Sequence, residues 1–380
     1  MDRRNFLKLS TASASACLTG FPVHGLTQSL PQGRICLIIL EGGLDGLAAV
    51  PAVGDPEFNP ARSELYAQNA LEINPFFALH PSLKSFAEML FNGEAAIIHA
   101  TAFPYTKRSH FEGQNLVETG LQVPFSSETG WLGRAMDLAG IAGRALSLDT
   151  PLVIRGTNDL ANYYPSSITG SREASLTVLE ALSAFHSGPF SDSVAVLRDQ
   201  QMANSSEPRV RDAAGLALTA GQAMRHDEGP RVSVIRVNDF DTHANQGTDF
   251  GRHARQLAIV DEVFDGYRKG LREKWRDTIV LTATEFGRTV YENGSAGTDH
   301  GYGSVGFLAG GLLKQSSVYA NWPGLSRRDL YEERDLWSTL DYRAVCAACI
   351  EAALGLEHDV IAEQIFSEPA LPRVFNNLFG

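Results

Sequence analysis

Three hydrophobic runs in this chain end at turns rich in glycine and acidic residues. Residues 34–40 (RICLIIL) run into Glu41-Gly42-Gly43-Leu44-Asp45-Gly46. Residues 232–237 (VSVIRV) run into Asp239-Phe240-Asp241-Thr242-His243, and residues 278–282 into Thr284-Glu285-Phe286-Gly287-Arg288. Each run predicts a strand. Between them the apolar period lengthens: positions 83, 86, 87 and 90 make a helical face that stops at Asn92-Gly93, and Val260, Phe264, Tyr267 and Leu271 make another. Residues 95–100 read as a further strand. Strand, helix and strand in alternation are the signature of a parallel sheet covered by helices. Residues 171–225 carry several helical patterns and no strand, so 171–228 is read as a helical insertion within a single α/β domain spanning 31–380.

In such a sheet the carboxyl ends of parallel strands open onto one crevice, so residues distant in sequence meet there. The turns after the three strands supply carboxylates and an imidazole, and Gly297-Thr298-Asp299-His300-Gly301 adds more. Asp, Glu and His together suit a divalent metal. Taken singly, the Gly42-Gly43 turn with Asp45 reads as an ordinary turn, and Asp241-Thr242-His243 reads either as two ligands of one ion or, through Asp241, as a helix cap. Their arrival at one edge is what points to chemistry.

Composition narrows the picture. The formal net charge of -12 excludes a nucleic-acid surface, which depends on clustered Lys and Arg. Four cysteines are too few for a disulfide scaffold, and Cys346 and Cys349 fall on neighbouring turns of an apolar helix, where they read as small buried hydrophobes. His80, His99, His186, His226 and His253 lack a partner at ligand spacing, and Trp131 and Trp322 read as packing. At the amino end, Arg3-Arg4-Asn5-Phe6-Leu7-Lys8 precedes a short stretch of small and apolar residues up to Phe21. Paired arginines in that setting mark residues 1–30 as a twin-arginine export signal. The stretch is shorter than the roughly 20 apolar residues of a membrane span. The expected partner is therefore the twin-arginine translocase, the expected location periplasmic or secreted, and no stable span is expected in the mature chain.

Several blocks in fixed order carry a family resemblance. They are Gly42-Gly43-Leu44-Asp45-Gly46-Leu47, Leu79-His80-Pro81, Arg108-Ser109-His110-Phe111, Thr129-Gly130-Trp131-Leu132-Gly133-Arg134, Asp241-Thr242-His243-Ala244-Asn245-Gln246, Thr284-Glu285-Phe286-Gly287-Arg288-Thr289 and Gly297-Thr298-Asp299-His300-Gly301. On these the chain resembles the DUF1501 family, which looks like a distant branch of the alkaline phosphatase and sulfatase superfamily. The resemblance implies an alkaline-phosphatase-like three-layer α/β sandwich with a mainly parallel central sheet. It implies metal ligation by Asp45 (with Glu41 as competitor), Asp241, His243, Glu285, His300 and Asp299, the last as ligand or as orienter of His300. Counting back from Glu118-Thr119-Gly120, taken as the start of a helix, places a nucleophile at Ser109 beside His110. Ser109 reads equally as a helix N-cap. Arg288 is expected either to clamp an anionic substrate or to brace Glu285.

Two departures shape the expected activity. Glu285-Phe286 stands where the superfamily has Asp-His, which leaves one or two divalent ions open (Zn, Mn, Mg or Ca). Lys107-Arg108-Ser109-His110-Phe111 lacks the sulfatase Cys-x-Pro-Ser-Arg signature. The expectation is a metal-dependent hydrolase of small anionic esters, phosphate before sulfate, acting through a metal-activated serine. The alternative is a non-catalytic metal-binding envelope protein.

Overall fold

The computed structural model describes residues 33–141, 144–146, 151–157, 161–162, 213–375 and 377–379, with 144–146 and 161–162 described as backbone only. The expected export signal at 1–30 and residues 171–212 of the expected insertion lie outside them. Among the described residues the strands are β1 (Arg34–Leu40), β2 (Leu71–Glu72), β3 (Ala78–Leu79), β4 (Ala95–Ala102), β5 (Arg144–Leu146), β6 (Ala161–Asn162), β7 (Val232–Val237), β8 (Thr278–Thr284), β9 (Ser304–Ala309), β10 (Val318–Tyr319) and β11 (Leu340–Asp341). All except the β2–β3 hairpin join one sheet in the order β10-β4-β9-β8-β1-β7-β5-β6, with β11 also on β4. β1 pairs in parallel with β7 and β8, and β5 with β7. Only β9 among these strands runs the other way, antiparallel to both β4 and β8.

β1 shows why the sheet must be covered on both faces: all seven of its residues are buried. Successive side chains of a strand point to opposite faces. Cys36, Ile38 and Leu40 enter one core with residues of α1 (Lys84–Phe91), α4 (Ala213–Met224) and α5 (Arg252–Leu271). Ile35, Leu37 and Ile39 enter the other, with residues of α3 (Trp131–Leu138) and α6 (Tyr342–Leu354). The result is the three-layer α/β sandwich expected from the pattern. Cys346 and Cys349 are fully buried in α6, as expected of small hydrophobes.

Two boundaries differ from the sequence reading. The helix whose face was read at 83, 86, 87 and 90 begins only at Lys84, with Leu83 at its N-cap position. Its first turn has no local cap, and Asp261 of α5 supplies one by accepting from Ser85 N and Phe86 N at 3.0 and 2.8 Å. The block read as an insertion also ends early. α4 belongs to the sandwich itself, with Leu216, Ala217, Ala220 and Met224 buried in the core. It lies so close to α5 that a Cβ at Gly270 would sit 2.4 Å from the Leu218 carbonyl oxygen. No helix among the described residues is long and apolar enough to cross a membrane.

Candidate metal centre

The carboxyl ends of β1, β4, β7 and β8 lie at one edge of the sheet. Because β9 is reversed, the segment before it also arrives at that edge. Four side chains meet there: His110, the first residue of α2 (His110–Thr119), Asp241 after β7, His243 two residues on, and His300 just before β9. Oδ1 of Asp241 lies 3.0 Å from His243 Nε2 and 3.1 Å from His300 Nε2, and Oδ2 lies 3.6 Å from His110 Nε2. Ligand atoms of His110, Asp241 and His300 all fall within 4.8 Å of one another.

The other nitrogen of each imidazole is occupied. His110 Nδ1 is 2.9 Å from Glu285 Oε1, His243 Nδ1 is 2.9 Å from Asp299 Oδ1, and His300 Nδ1 is 3.0 Å from the Arg108 carbonyl oxygen. Carboxylates and carbonyls only accept, so each Nδ1 carries a proton, and a ring that is neutral then turns its Nε2 lone pair inward. His243 Nε2 and His300 Nε2 are then 2.9 Å apart. Two lone pairs do not rest at that distance without a cation between them, a proton or a metal ion. His110 Nε2 is buried with no hydrogen-bond partner, as suits a nitrogen that could ligate an ion. Three of these donors, His110, Asp241 and His300, lie close enough together to share one divalent ion, and His243 Nε2 adjoins two of them.

Electrostatics follow from the contacts. The bond from Glu285 holds the His110 pKa above the usual imidazole value, against partial burial. Burial lowers that of His300 despite its bonds to Arg108 and Asp241. Burial alone would raise the Asp241 carboxyl, but the Arg288 guanidinium and His300 hold it below the usual range. Asp299 is lowered chiefly by the bond from His243.

The remaining expected residues are placed differently. Asp45 is a correction. It is buried, accepts from Arg62 Nη1 and Nη2 at 2.7 and 3.0 Å and from Gln246 Nε2 at 2.7 Å, and caps the helical turn Gly46–Ala49 through Ala48 N. Those bonds use its lone pairs, so it has none to offer an ion. Glu41 pairs with Arg236. Glu285 is also moved from ligand to support. Its Oε1 accepts from Gly42 N at 2.8 Å as well as from His110, which ties the β1 turn to α2. Arg288 is fully buried and cannot clamp a substrate. Its Nε and Nη2 donate to the carbonyls of Gly43, Gly42 and Phe240, Nη1 to that of Thr298, and Nη2 also to Asp241 Oδ1 at 2.6 Å. It braces Asp241, where Glu285 was expected. Asp299 orients His243, not His300.

Ser109 stands at the N-cap of α2 with extended backbone and no side-chain cap bond. Thr119 and Gly120, expected to open a helix, close α2 instead, with Gly120 left-handed at φ +68. Sequence reasoning missed three supports. Gly42, at φ +116, passes so close to β7's turn that a Cβ would meet Asp241 N at 2.4 Å. Gln246 Oε1 accepts from Thr242 and Thr298, joining the two histidine-bearing loops, and the Arg108 carbonyl holds His300. Gln246 was visible in the Asp241–Gln246 block, whereas nothing in a sequence marks a backbone acceptor.

The family match covers the 241–246, 284–289 and 297–301 blocks of this edge. Residues 173–365, half of the chain, match the family described as a protein of unknown function, DUF1501. The chain belongs to the DUF1501 family. No curated protein matches it by sequence. Among solved structures it is similar to Ps i-CgsB, at 11% identity and a TM-score of 0.43, covering 88% of this chain and 77% of that one. A structure described with glycosaminoglycan metabolism by Bacteroides thetaiotaomicron gives 11% identity and 0.42, covering 91% and 78%. A mutant of the alkaline phosphatase PafA gives 11% and 0.33, covering 68% and 64%. Likeness at these scores carries no activity to a DUF1501 chain, and the chemistry rests on the side chains described above.

Proposed function

We propose that this DUF1501 chain is an exported hydrolase of phosphate esters, sulfate esters being the lesser expectation, that depends on one divalent metal ion held by His110, Asp241, His243 and His300. The observation that carries the reading is the convergence of three imidazole Nε2 atoms on Asp241 with all three Nδ1 atoms bound to acceptors. A nitrogen-rich set of this kind suits Zn better than Mn, Ca or Mg, which favour oxygen ligands. With Asp45 and Glu285 engaged elsewhere, the set serves one ion. When bound, the ion supplies Lewis-acid stabilisation of developing oxygen charge.

The chain's own groups do the rest. His243 and Asp241, each nearly half exposed, form the open side of the cluster, while Glu285 and Arg288 fix its buried side. Ser109 adjoins His110 at the amino end of α2, where unpaired backbone N–H groups and the helix dipole favour an anion. In this reading its hydroxyl gives its proton to solvent and its oxygen bonds to phosphorus as the ester bond breaks, the leaving oxygen takes a proton from water, and a second water then releases phosphate and restores the serine hydroxyl. The paired arginines near the amino terminus support export in folded form.

One observation favours the alternative, a metal-binding envelope protein without turnover. Arg288 and Arg108, the guanidinium groups built into this edge, both face inward to carboxylates and carbonyls. A single experiment separates the readings. Elemental analysis of the exported protein is followed by a phosphate-ester screen of wild type and Ser109→Ala. Near-stoichiometric metal with Ser109-dependent hydrolysis supports the hydrolase, metal without hydrolysis supports the alternative, and no metal defeats both.

A further inference from the structure

We infer that Arg108 is a positioning residue of this edge: its clamped guanidinium holds a left-handed backbone that aims the Arg108 carbonyl at His300 Nδ1. The functional weight of this rests on the metal reading above, while the positioning itself is testable without metal.

Arg108 has φ +62, a conformation that residues bearing a Cβ adopt rarely and that persists only where the surroundings impose it. The surroundings here are specific. Its Nε and Nη2 donate to Asp335 Oδ2 at 3.1 and 2.6 Å, and Nη2 also to Glu332 Oε2 at 2.6 Å. Asp335 is fully buried, and its backbone exchanges hydrogen bonds with Tyr331 at 2.8 and 2.9 Å. Glu332 and Glu333 are themselves left-handed, at φ +52 and +54, so the turn that presents the clamp is tightly formed. The same turn grips His300 a second time, through Arg334 Nη2, which donates to the His300 carbonyl at 2.9 Å. One turn thus fixes both the backbone and the ring of His300.

The choice of acceptor matters chemically. His110 and His243 are oriented by carboxylates, which also attract a proton to the ring. A carbonyl oxygen fixes the Nδ1–H tautomer of His300 without adding a negative charge, leaving the Nε2 lone pair for an ion shared with Asp241.

The test uses the full chain labelled with [15N]histidine and stripped of metal by chelator. Long-range 1H–15N correlation reads the His300 tautomer, assigned by loss of its signals in His300→Gln. The expected wild-type state is Nδ1–H. Arg108→Ala, which removes the clamp but keeps the Cβ that opposes positive φ, shifts His300 toward Nε2–H. Asp335→Asn does the same and carries the test if the alanine variant fails to fold. Arg108→Gly removes more atoms than alanine yet restores Nδ1–H, because glycine populates positive φ freely. A wild-type Nε2–H ring, an Arg108→Ala ring unchanged from wild type, or a glycine variant no better than alanine would each overturn the proposal. Zinc titration of the same proteins then reads the consequence. The alanine variant weakens by about tenfold or more, as for loss of a group that orients a ligand, and the glycine variant recovers most of that. A wild type with the expected tautomer that takes up no zinc would defeat the metal reading and leave the positioning role standing.

Discussion

Arg288 donates from a wholly buried guanidinium to Oδ1 of Asp241, a carboxylate that is nearly half exposed. The cation's other donors go to four backbone carbonyls, so it serves as the floor on which Asp241 stands. Arg288→Lys keeps the charge but not the planar fork that reaches five acceptors. The expected outcome is a loss of roughly 2–3 kcal/mol, the scale of buried carbonyls left without a donor. Urea denaturation with chelator present, so that metal loss does not contribute, measures it; a change below about 0.5 kcal/mol, the size of ordinary surface effects, would contradict this role.

Asp45 and Asp241 are expected to part company under the same conservative change. Asp45→Asn leaves metal content near wild type but destabilises the fold by about 3 kcal/mol or more, because Arg62 is left buried without its counter-charge. Asp241→Asn and His300→Ala lose metal. Elemental analysis beside thermal unfolding distinguishes them, and metal lost from Asp45→Asn in a folded protein would restore Asp45 to the ligand set.

Glu285→Gln is expected to retain metal with an affinity reduced about tenfold, since an amide oxygen still accepts from His110 Nδ1 but without charge. Glu285→Ala should reduce it further. Equal affinity in all three proteins by isothermal titration would remove Glu285 from the support of His110.

His99 gives the fold an acid sensitivity. Burial lowers its pKa to about 4, with Nε2 bonded to the Val50 carbonyl and Nδ1 accepting from Ala100 N, an arrangement only the neutral ring can make. The unfolded chain, with an ordinary pKa of about 6.5, binds the proton that the folded chain refuses. Stability is therefore full above about pH 6.5 and falls as pH drops toward 4, by on the order of 3 kcal/mol at the lower end. His253, lowered to about 3 by burial, adds to the same slope. Urea midpoints between pH 7 and 4.5 should fall steeply in wild type and less so in His99→Gln; parallel slopes would dismiss His99 as the cause.

The layers and the edge were legible because they are written locally. Runs such as 34–40 are apolar without interruption, and only a strand covered on both faces uses such a run. Asp241 and His243 were legible as residues because they follow such a strand, and His300 because it sits with Asp299 in a glycine-flanked cluster. Roles were less legible than places. Asp45 in its glycine turn looks like any acidic residue after a strand, and what disqualifies it is Arg62 and Gln246, the latter 201 residues away. Glu285 and Arg288 likewise differ from ligand and clamp only through partners on other elements. His110 was placed beside a nucleophile, yet its Nε2 faces Asp241. The α4 helix was misplaced because a helical pattern does not say which layer it joins; its glycine contacts with α5 decide that.

The reversed strand β9 has a consequence for how securely the histidines are brought together. Six residues of strand span about 20 Å, so a β9 running with its neighbours would have delivered His300 to the far rim of the sheet, out of reach of Asp241. The hairpin-like return from β8 to β9 instead makes the ladder itself a ruler. A one-residue slip between Leu281 and Leu308 would move His300 by a full residue step while leaving every ligand present in the sequence. On the proposed metal reading, alignment of these two strands is thus as much a part of the site's address as the imidazoles, and variants that disturb it are expected to be metal-deficient while carrying no change at the site.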